Sequence, residues 1–356
     1  MPLSPAKLTV SDDPMTATPP TIIASLSNTS DEPSWQEQLN TLISSPSELF
    51  DLLRLPSELL TAAEEATKLF PLRVPRPYLS RIKKADLNDP LLKQVLPLGL
   101  EQEVNNAFTN DPLGEKESNP VRGIIHKYHG RVLLVSSPQC AINCRYCFRR
   151  TFDYHNNTPS RREWLESLDY LVNDTSIEEV IFSGGDPFTL SDAQLRWLLE
   201  QISNIPHVKR IRFHTRLPIV VPSRVSEQLL NVLSALGQKV VVVVHCNHPQ
   251  EIDEHVQHAF LKLRHVNITV LNQAVLLKSV NDSATTLIEL NKQLFQCGVL
   301  PYYLHLMDKV TGTAHFQVPE VVAKKIHTEL LAALPGYLVP KLVREERGAH
   351  SKTLVQ

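Results

Sequence analysis

The chain has 356 residues, a formal net charge of -2, and 42% hydrophobic residues. This length is enough to bury one large core with a smaller appendage, or two modest domains. The near-zero charge gives no general attraction to nucleic acid or to an anionic membrane, and no apolar run approaches the roughly 20 residues that cross a bilayer. We therefore expect neither nucleic acid nor a membrane among its partners.

Residues 1–34 are rich in Pro, Ser and Thr and contain few large apolar groups. Such a stretch buries too little surface to offset the entropy lost on ordering, so we predict a disordered tail. One early lysine is followed by Asp12 and Asp13 with no apolar signal core, which argues against a secretory leader. Cysteines kept as free thiols later in the chain fit a reducing compartment, and we expect the cytoplasm.

A helical N-terminal region is predicted for residues 35–119. Ser34 stands before Trp35 with Glu37 close behind, and Ser57 is followed at once by Glu58. A serine near the cap and an acidic residue in the first turn are typical of helix starts.

Between residues 120 and 334, apolar runs recur about every thirty residues, each followed by an amphipathic segment, as in successive βα units. The runs are Val132–Val135, Val180–Phe182, Ile211–Phe213, Val240–Val244, Ile268–Leu271 and Tyr302–Leu304. The intervening helices are predicted at Arg161–Leu171, Asp192–Ile202, Val225–Leu236, Ile252–Leu263 and Ala284–Phe295. Six such units predict an α/β fold, a partial parallel (β/α)6 barrel with both faces of each strand buried.

Polar residues follow each apolar run, where a parallel barrel builds its active site. The segments are Ser136-Ser137, Ser183 to Asp186, His214 to Arg216, His245 to Asn247, Asn272-Gln273 and His305 to Asp308. A single polar residue at a strand end needs no functional explanation. Six in register favour a site on this rim.

Three of the five cysteines, Cys140, Cys144 and Cys147, stand at the spacing CxxxCxxC. A [4Fe–4S] cluster normally takes four thiolates, so three close ligands leave one iron open to a small molecule. Zinc is the competing interpretation, but structural zinc sites usually add a second, distant pair of ligands. Cys246 and Cys297 are isolated, so the triplet favours the cluster.

A second motif, Ser183-Gly184-Gly185-Asp186-Pro187, follows the second apolar run. Two glycines let the backbone approach a ligand, and a backbone edge with a carboxylate can hold an ammonium group. Alone, such a motif is most often a turn. The run His245-Cys246-Asn247-His248 could suggest a metal, but further ligands are lacking and a non-metal role is preferred.

These motifs together resemble the radical S-adenosylmethionine (SAM) enzymes, and within them the lysine 2,3-aminomutases. The closest resemblance is to the short branch that makes β-lysine for elongation factor P, and it covers nearly everything from Trp35 onward. The supporting runs are His126–Arg131, Asn143–Arg150, Ser183–Phe188, Leu217–Val220, Leu271–Gln273, Pro301–His305, Asp308–Val310 and Ser351–Thr353.

The resemblance implies a [4Fe–4S] cluster on the three cysteines of the CxxxCxxC motif. It also implies that SAM is bound by Gly184, Gly185 and Asp186, with His245 and Gln273 on the nucleoside side.

It further implies pyridoxal phosphate (PLP), held as a Schiff base on Lys352 in the C-terminal segment, residues 335–356. A lysine amine suits this role because its imine exchanges with the amine of the substrate. Tyr128 and Arg131 match positions near the PLP phosphate. Without the resemblance, a lysine this near the terminus would be read as solvated surface.

For the substrate, the resemblance implies that Arg149 clamps the carboxylate and that Asp308 and Glu345 receive the distal ammonium. Glu345 is a departure, because the free-lysine enzymes have Asp there. Longer family members also hold a structural zinc; Ser283 replaces its central cysteine and the chain stops four residues after the PLP lysine, so we predict no zinc.

The implied function is an isomerase that converts (S)-α-lysine to (R)-β-lysine, which a separate ligase attaches to elongation factor P. Implied partners are L-lysine, a reductant protein for the cluster, and copies of the chain itself. Three alternatives stay open: a free-lysine aminomutase of catabolism or solute synthesis, a radical SAM enzyme of another reaction type, and a non-catalytic iron–sulfur interaction module.

Overall fold

One nine-stranded sheet, with its strands in chain order, is found in the residues that the computed structural model describes, 33–157, 159–160 and 162–356. Strands β2 to β8 are parallel, while β1 pairs antiparallel with β2, and β9 with β8. The strands are β1 Ile124–Tyr128, β2 Arg131–Ser137, β3 Glu179–Gly184, β4 Arg210–Thr215, β5 Lys239–Val244, β6 Thr269–Leu276, β7 Leu300–Leu306, β8 Lys341–Arg344 and β9 Thr353–Leu354.

All six predicted strands are confirmed as β2 to β7, and the α/β fold with them. The sheet gains a seventh parallel strand, β8, whose apolar run is only Leu342-Val343. The predicted disordered tail lies outside the described residues apart from Pro33 and Ser34, and stays a prediction.

Helices cover the sheet and fill the N-terminal region. The α-helices are α1 Trp35–Asn40, α2 Pro46–Leu53, α3 Leu60–Leu69, α4 Arg76–Leu79, α5 Pro90–Lys93, α6 Tyr154–Asn157, α7 Glu163–Asn173, α8 Asp192–Ser203, α9 Leu217–Val220, α10 Glu227–Ser234, α11 Glu254–His265, α12 Ala284–Gln296 and α13 Glu320–Ala333. Short 3-10 helices lie at Ser57–Leu59, Gly99–Gln102, Glu115–Ser118, Pro187–Thr189, Pro222–Arg224, Pro249–Glu251, Ala314–Phe316 and Gly336–Leu338. In the part of the chain that the structure describes, none is long and apolar enough to cross a membrane.

Four of the helices between the strands begin where a side chain caps them. Ser191, Ser226, Asp253 and Ser283 each accept a hydrogen bond from a backbone N–H in the first turn of α8, α10, α11 and α12. Such a cap satisfies one of the free donors at a helix start. This is why the predicted helix starts agree with the observed ones within two residues.

The loop that follows β2, residues 138–153, carries the three cysteines and is held by a buried ion cluster from the N-terminal region. Both oxygens of Glu101 accept from Arg145, at 2.8 and 2.5 Å, and Arg150 donates to the second oxygen at 2.6 Å. The Phe70 ring packs against both guanidinium groups at 4.9 and 4.8 Å. The side chains of Glu101 and Arg145 are fully buried, so the charges depend on each other.

Replacing Glu101 by Gln tests this dependence. Two buried arginines would lose their counter-charge, and we expect the free energy of unfolding to fall by about 3–5 kcal/mol. Urea denaturation of the full chain measures it. The matched control is Glu178→Gln, which breaks an exposed pair with Arg210 and should cost at most about 1 kcal/mol. Equal, small losses in the two variants would contradict the structural role given to Glu101.

Candidate active site

The polar residues that follow the strands lie at the carboxyl end of the parallel sheet. β2 leads into the cysteine loop, β3 ends at Gly184, β4 at Thr215 and β5 at Val244. Gln273 differs from the expectation, because β6 continues to Leu276 and Gln273 lies inside the strand. The other five segments lie at or directly after the strand ends.

The three cysteines of the loop are free thiols, each half-buried. Burial raises the pKa of Cys140, and raises that of Cys147 to about 11, and neighbouring cysteine sulfurs add to both shifts. A negative charge on one cysteine sulfur therefore makes its neighbours harder to ionise. Among the described residues, no three His, Cys, Asp or Glu side chains are grouped as the ligands of one metal ion.

The two glycines of the second motif pack against this loop. Gly185 donates to Ser137 O at 2.8 Å, and a Cβ on Gly185 would lie 2.8 Å from the backbone nitrogen of Gln139. Gly184 has φ +106°, a conformation that L side chains rarely adopt. Both glycines are thus required by the approach of β3 to the residues that precede Cys140.

Asp186, the carboxylate of the same motif, is buried and fully engaged within the protein. One oxygen accepts from Thr215 Oγ1 at 2.6 Å and from Phe188 N at 3.0 Å. The other accepts from the backbone N–H groups of Arg216 and Leu217 at 2.6 and 3.1 Å. Burial raises the pKa of Asp186 despite these four hydrogen bonds. In this arrangement the carboxylate joins the ends of β3 and β4.

His245, at the end of β5, lies directly beside the cysteine loop. Its Nε2 is 3.0 Å from the hydroxyl of Tyr146, and the two rings stack at 5.7 Å. Burial, and after it the charge of Arg216, lowers the pKa of His245 to about 3, so its ring is neutral at pH 7. A neutral ring beside Tyr146 of the cysteine loop suits contact with an uncharged part of a ligand.

Arg149 is buried two residues after Cys147. It makes a paired salt bridge with Glu115, Nε to Oε2 at 2.9 Å and Nη2 to Oε1 at 2.7 Å. Its Nη1 donates to Ser183 Oγ at 3.0 Å. The planar fork therefore does bind a carboxylate in this structure, and that carboxylate belongs to the protein.

Lys352 is ordered by a hairpin at the C-terminus. β9 pairs antiparallel with β8, Arg344 opposite Thr353, which brings Lys352 next to Glu345. Lys352 Nζ lies 3.1 Å from Glu345 Oε1, and the hydroxyl of Tyr128 donates to the same oxygen at 3.0 Å. The guanidinium of Arg131 lies 4.8 Å above the Tyr128 ring. Four of the predicted residues are thus in contact.

The two predicted ammonium-binding carboxylates differ strongly in acidity. Burial, followed by the negative charge of Glu345, raises the pKa of Asp308 to about 7. Burial alone would also raise the pKa of Glu345, but the charges of Lys352 and Lys127 hold it down to about 2. At pH 7, Glu345 is ionised and Asp308 is poised between its two forms.

His214 on β4 is a further residue of this region. Its Nε2 is buried with no hydrogen-bond partner in the described structure. Burial, then the charges of Arg212, Lys352 and Arg149, hold the pKa of His214 well below its usual range. His214 thus presents a buried, unpartnered nitrogen in a region that feels the charges of both Lys352 and Arg149.

Comparison with known proteins shows the family to which the chain belongs. The Radical SAM superfamily matches residues 134–288. L-lysine 2,3-aminomutase of Haemophilus influenzae is 47% identical over 324 residues, 91% of this chain and 96% of the relative. The Escherichia coli protein of the same name is 47% identical over 92% of this chain and 95% of its own. The chain belongs to the lysine 2,3-aminomutase family.

Solved structures of radical SAM enzymes are also similar. A radical SAM methyltransferase from Sphaerobacter thermophilus matches 62% of this chain and 68% of its own, with a TM-score of 0.44 and 18% sequence identity.

Family membership makes the chain a radical SAM isomerase, and it implies a [4Fe–4S] cluster and SAM. The residues present fit both groups. Three free thiols lie in one loop, and β3 lies against that loop through two glycines. The ligand roles of Cys140, Cys144, Cys147, Gly184 and Asp186 stay predictions, as do those of the nucleoside-side residues.

Three participants were not found from the sequence: Glu115, His214 as a functional residue, and Arg216. Glu115 lies 34 residues before its partner Arg149, and no local pattern connects them. His214 and Arg216 stand in the polar segment after the third apolar run. That position was the available signal for both.

Gly185→Ala tests the packing of β3 on the cysteine loop. The added Cβ would collide with the backbone of Gln139, so the loop must move. We expect the reconstituted variant to retain less than half of the iron and acid-labile sulfide of the wild type. The control is Gly237→Ala, where a Cβ meets nothing within 4 Å. A full complement of iron and sulfide in Gly185→Ala would show that the loop tolerates the displacement.

Proposed function

We propose that this chain is a PLP-dependent L-lysine 2,3-aminomutase that converts (S)-α-lysine to (R)-β-lysine. The observation that carries the proposal is the contact of Lys352 with Glu345 at 3.1 Å, close to the second carboxylate, Asp308. It joins a candidate cofactor lysine to a candidate ammonium site. The relatives named L-lysine 2,3-aminomutase support the same reaction.

Both proposed recognition groups are paired with protein groups that carry the same charges as the substrate lysine. Glu115 offers Arg149 a carboxylate, the group that the substrate's α-carboxylate would supply. Lys352 offers Glu345 a primary ammonium, as the lysine side chain would. Both recognition elements are therefore competent for the charges of lysine, one at each end.

The residues around Lys352 fit PLP. The side chain of Lys352 is 21% exposed, and its Nζ lies 5.6 Å from the centre of the Tyr303 ring. Tyr128 and Arg131 would hold the phosphate, and the unpartnered His214 nitrogen is available to the ring. When bound, PLP supplies a conjugated imine, and the cluster with SAM supplies a radical able to take hydrogen from an unactivated carbon.

In this scheme the protein binds, orients and shields. Arg149 fixes the carboxylate end of lysine, and Glu345 with Asp308 fixes the distal ammonium, so the β-carbon is held in one position. His305, buried beside Lys352, has its pKa lowered to about 3 by burial and then by Lys352. It therefore stays neutral and adds no competing cation at neutral pH.

We further propose that the product serves elongation factor P, to which a separate lysine ligase attaches it, with a reductant protein supplying electrons in the cytoplasm. The resemblance to the short branch supports this. Glu345 in place of Asp is consistent with that branch. We also propose that the chain forms homo-oligomers, because members of the family it resembles often self-associate.

The activity is tested by anaerobic reconstitution with iron, sulfide and PLP, followed by SAM, reductant and L-lysine. We expect β-lysine from the wild type, and from Lys352→Ala no β-lysine and no imine absorbance on addition of PLP. Lys341→Ala is the control, because Lys341 is an exposed lysine of β8; it should keep both signals.

Two results would redirect the proposal. β-Lysine formed at the wild-type rate by Lys352→Ala would remove this residue as the PLP anchor. SAM cleavage without β-lysine from free L-lysine, but with modification of lysylated elongation factor P, would make the charged protein the substrate.

The acidity of Asp308 predicts a pH dependence of lysine binding. An ammonium group binds the ionised carboxylate, and the pKa of Asp308 without substrate is about 7. Below that pH the Asp308 carboxyl must lose its proton before lysine binds. The affinity for lysine should therefore fall as the pH is lowered, with a limiting slope of about tenfold per pH unit. Lysine KM, measured between about pH 5.5 and 8.5, should rise on the acid side. Asp308→Asn should bind more weakly but with this slope removed; an unchanged slope would assign it to another group.

A further inference from the structure

A buried arginine touches one of the candidate cluster ligands. Arg216 follows β4, and its side chain is 6% exposed. Its Nη1 donates to the sulfur of Cys144 at 2.6 Å, while Nη2 donates to Glu251 Oε2 at 2.9 Å. The side chain of Glu251 is fully buried. The guanidinium of Arg216 therefore contacts the Cys144 sulfur through one nitrogen and its counter-ion, Glu251, through another.

The position of Arg216 is fixed from several directions. Its backbone N–H donates to Asp186 at 2.6 Å, and Nη2 also donates to Gln94 Oε1 at 2.7 Å. Its guanidinium lies 5.4 and 5.9 Å from the ring centres of Tyr78 and Tyr146. These contacts come from the N-terminal region, the cysteine loop and the sheet, so the contact with Cys144 is a built feature of the fold.

Glu251 is equally constrained. Its Oε1 accepts from the backbone N–H groups of Asn247 and His248 at 3.0 and 3.1 Å, and from Gln94 Nε2 at 3.1 Å. These four partners, Arg216 included, fix the carboxylate against Nη2 of the guanidinium, while the sulfur contacts Nη1.

A hydrogen bond and a positive charge at a ligand sulfur favour the reduced state of an iron–sulfur cluster. Reduction adds one negative charge to the cluster and its thiolates, and hydrogen bonds to the sulfurs are among the factors that set the potential. The effect is strong where burial keeps water away. A carboxylate behind the arginine acts in the opposite direction, but from a greater distance.

We propose that Arg216 raises the reduction potential of the cluster that the family binds through its three cysteines, and that Glu251 limits this rise. In the step concerned, one electron passes from an external reductant to the cluster, and no bond in the protein forms or breaks. Arg216 is a positioning and charge-setting residue, not a ligand. The proposal concerns the cluster alone and is independent of the identity of the amino acid substrate.

The test is an anaerobic redox titration of the reconstituted full chain without SAM or lysine, with dithionite as reductant and the EPR signal of the reduced cluster as readout. Arg216→Gln keeps a donor but removes the charge, and we expect its reduction equilibrium constant to fall at least tenfold, about 59 mV for one electron. Glu251→Gln should move the potential upwards. The double variant should lie between Arg216→Gln and the wild type.

Opposite shifts are the informative result, because a general loosening of the site would move both single variants in the same direction. Shifts of the same sign, or none, would overturn the proposal. If Arg216→Gln takes up no cluster, Arg216→Lys and Glu251→Gln decide. The reduction equilibrium constant of Arg216→Lys should stay within threefold of the wild-type value. A Glu251→Gln variant with an unchanged reduction potential would refute the role of Arg216. Arg224→Gln is the matched control, since Arg224 is as deeply buried but pairs with Asp192; its potential should not change.

Discussion

The buried cluster of Glu101 with Arg145 and Arg150 is the interaction on which the cysteine loop depends. The loop has almost no regular secondary structure of its own between β2 and α6, so neighbouring groups must determine its shape. Glu101 holds it from the N-terminal region, and the amide of Asp186 donates to Gln139 O at 2.7 Å from the sheet side. A loop fixed at both ends by buried polar contacts can hold thiols apart at a set spacing, which a flexible loop could not do without losing entropy on binding.

Charge complementarity is the second theme of the site. Within the protein, Arg149 pairs with Glu115 and Lys352 pairs with Glu345. An unpaired buried charge would be costly, so the groups proposed to bind lysine need partners inside the protein. The substrate then exchanges one ion pair for another at each end, and the difference between two similar pairs is small. Such exchange allows buried charges to select a zwitterionic substrate with an extra ammonium group without destabilising the empty protein.

The sequence predicted what depends on local pattern. β2 to β7 and the capped helices between them were found because apolar runs and cap residues repeat along the chain. β8 was missed because Leu342 and Val343 are its only consecutive apolar residues. The end of β6 was placed at Leu271, five residues early, because Asn272 and Gln273 interrupt its apolar run. The partners of Arg145 and Arg149 could not be predicted, since Glu101 and Glu115 lie 44 and 34 residues away and neither stands in a motif. Residue type and spacing were enough to identify candidate ligand residues. The salt bridges that hold them in place join residues far apart in the sequence and could not be predicted.

The N-terminal region is therefore part of the site. Each of three candidate functional elements contacts a buried polar group from it: Arg149 contacts Glu115, the cysteine loop contacts Glu101, and Arg216 contacts Gln94. Gln94 also accepts from Tyr146 and Asn247, at 3.2 and 3.1 Å, which extends the network to the residue before Cys147 and to the end of β5. Without this region, four arginines near the cysteines would each lose a buried polar partner: Arg145, Arg149, Arg150 and Arg216. The same contacts that stabilise the fold thus set the electrostatic surroundings in which the proposed radical chemistry takes place.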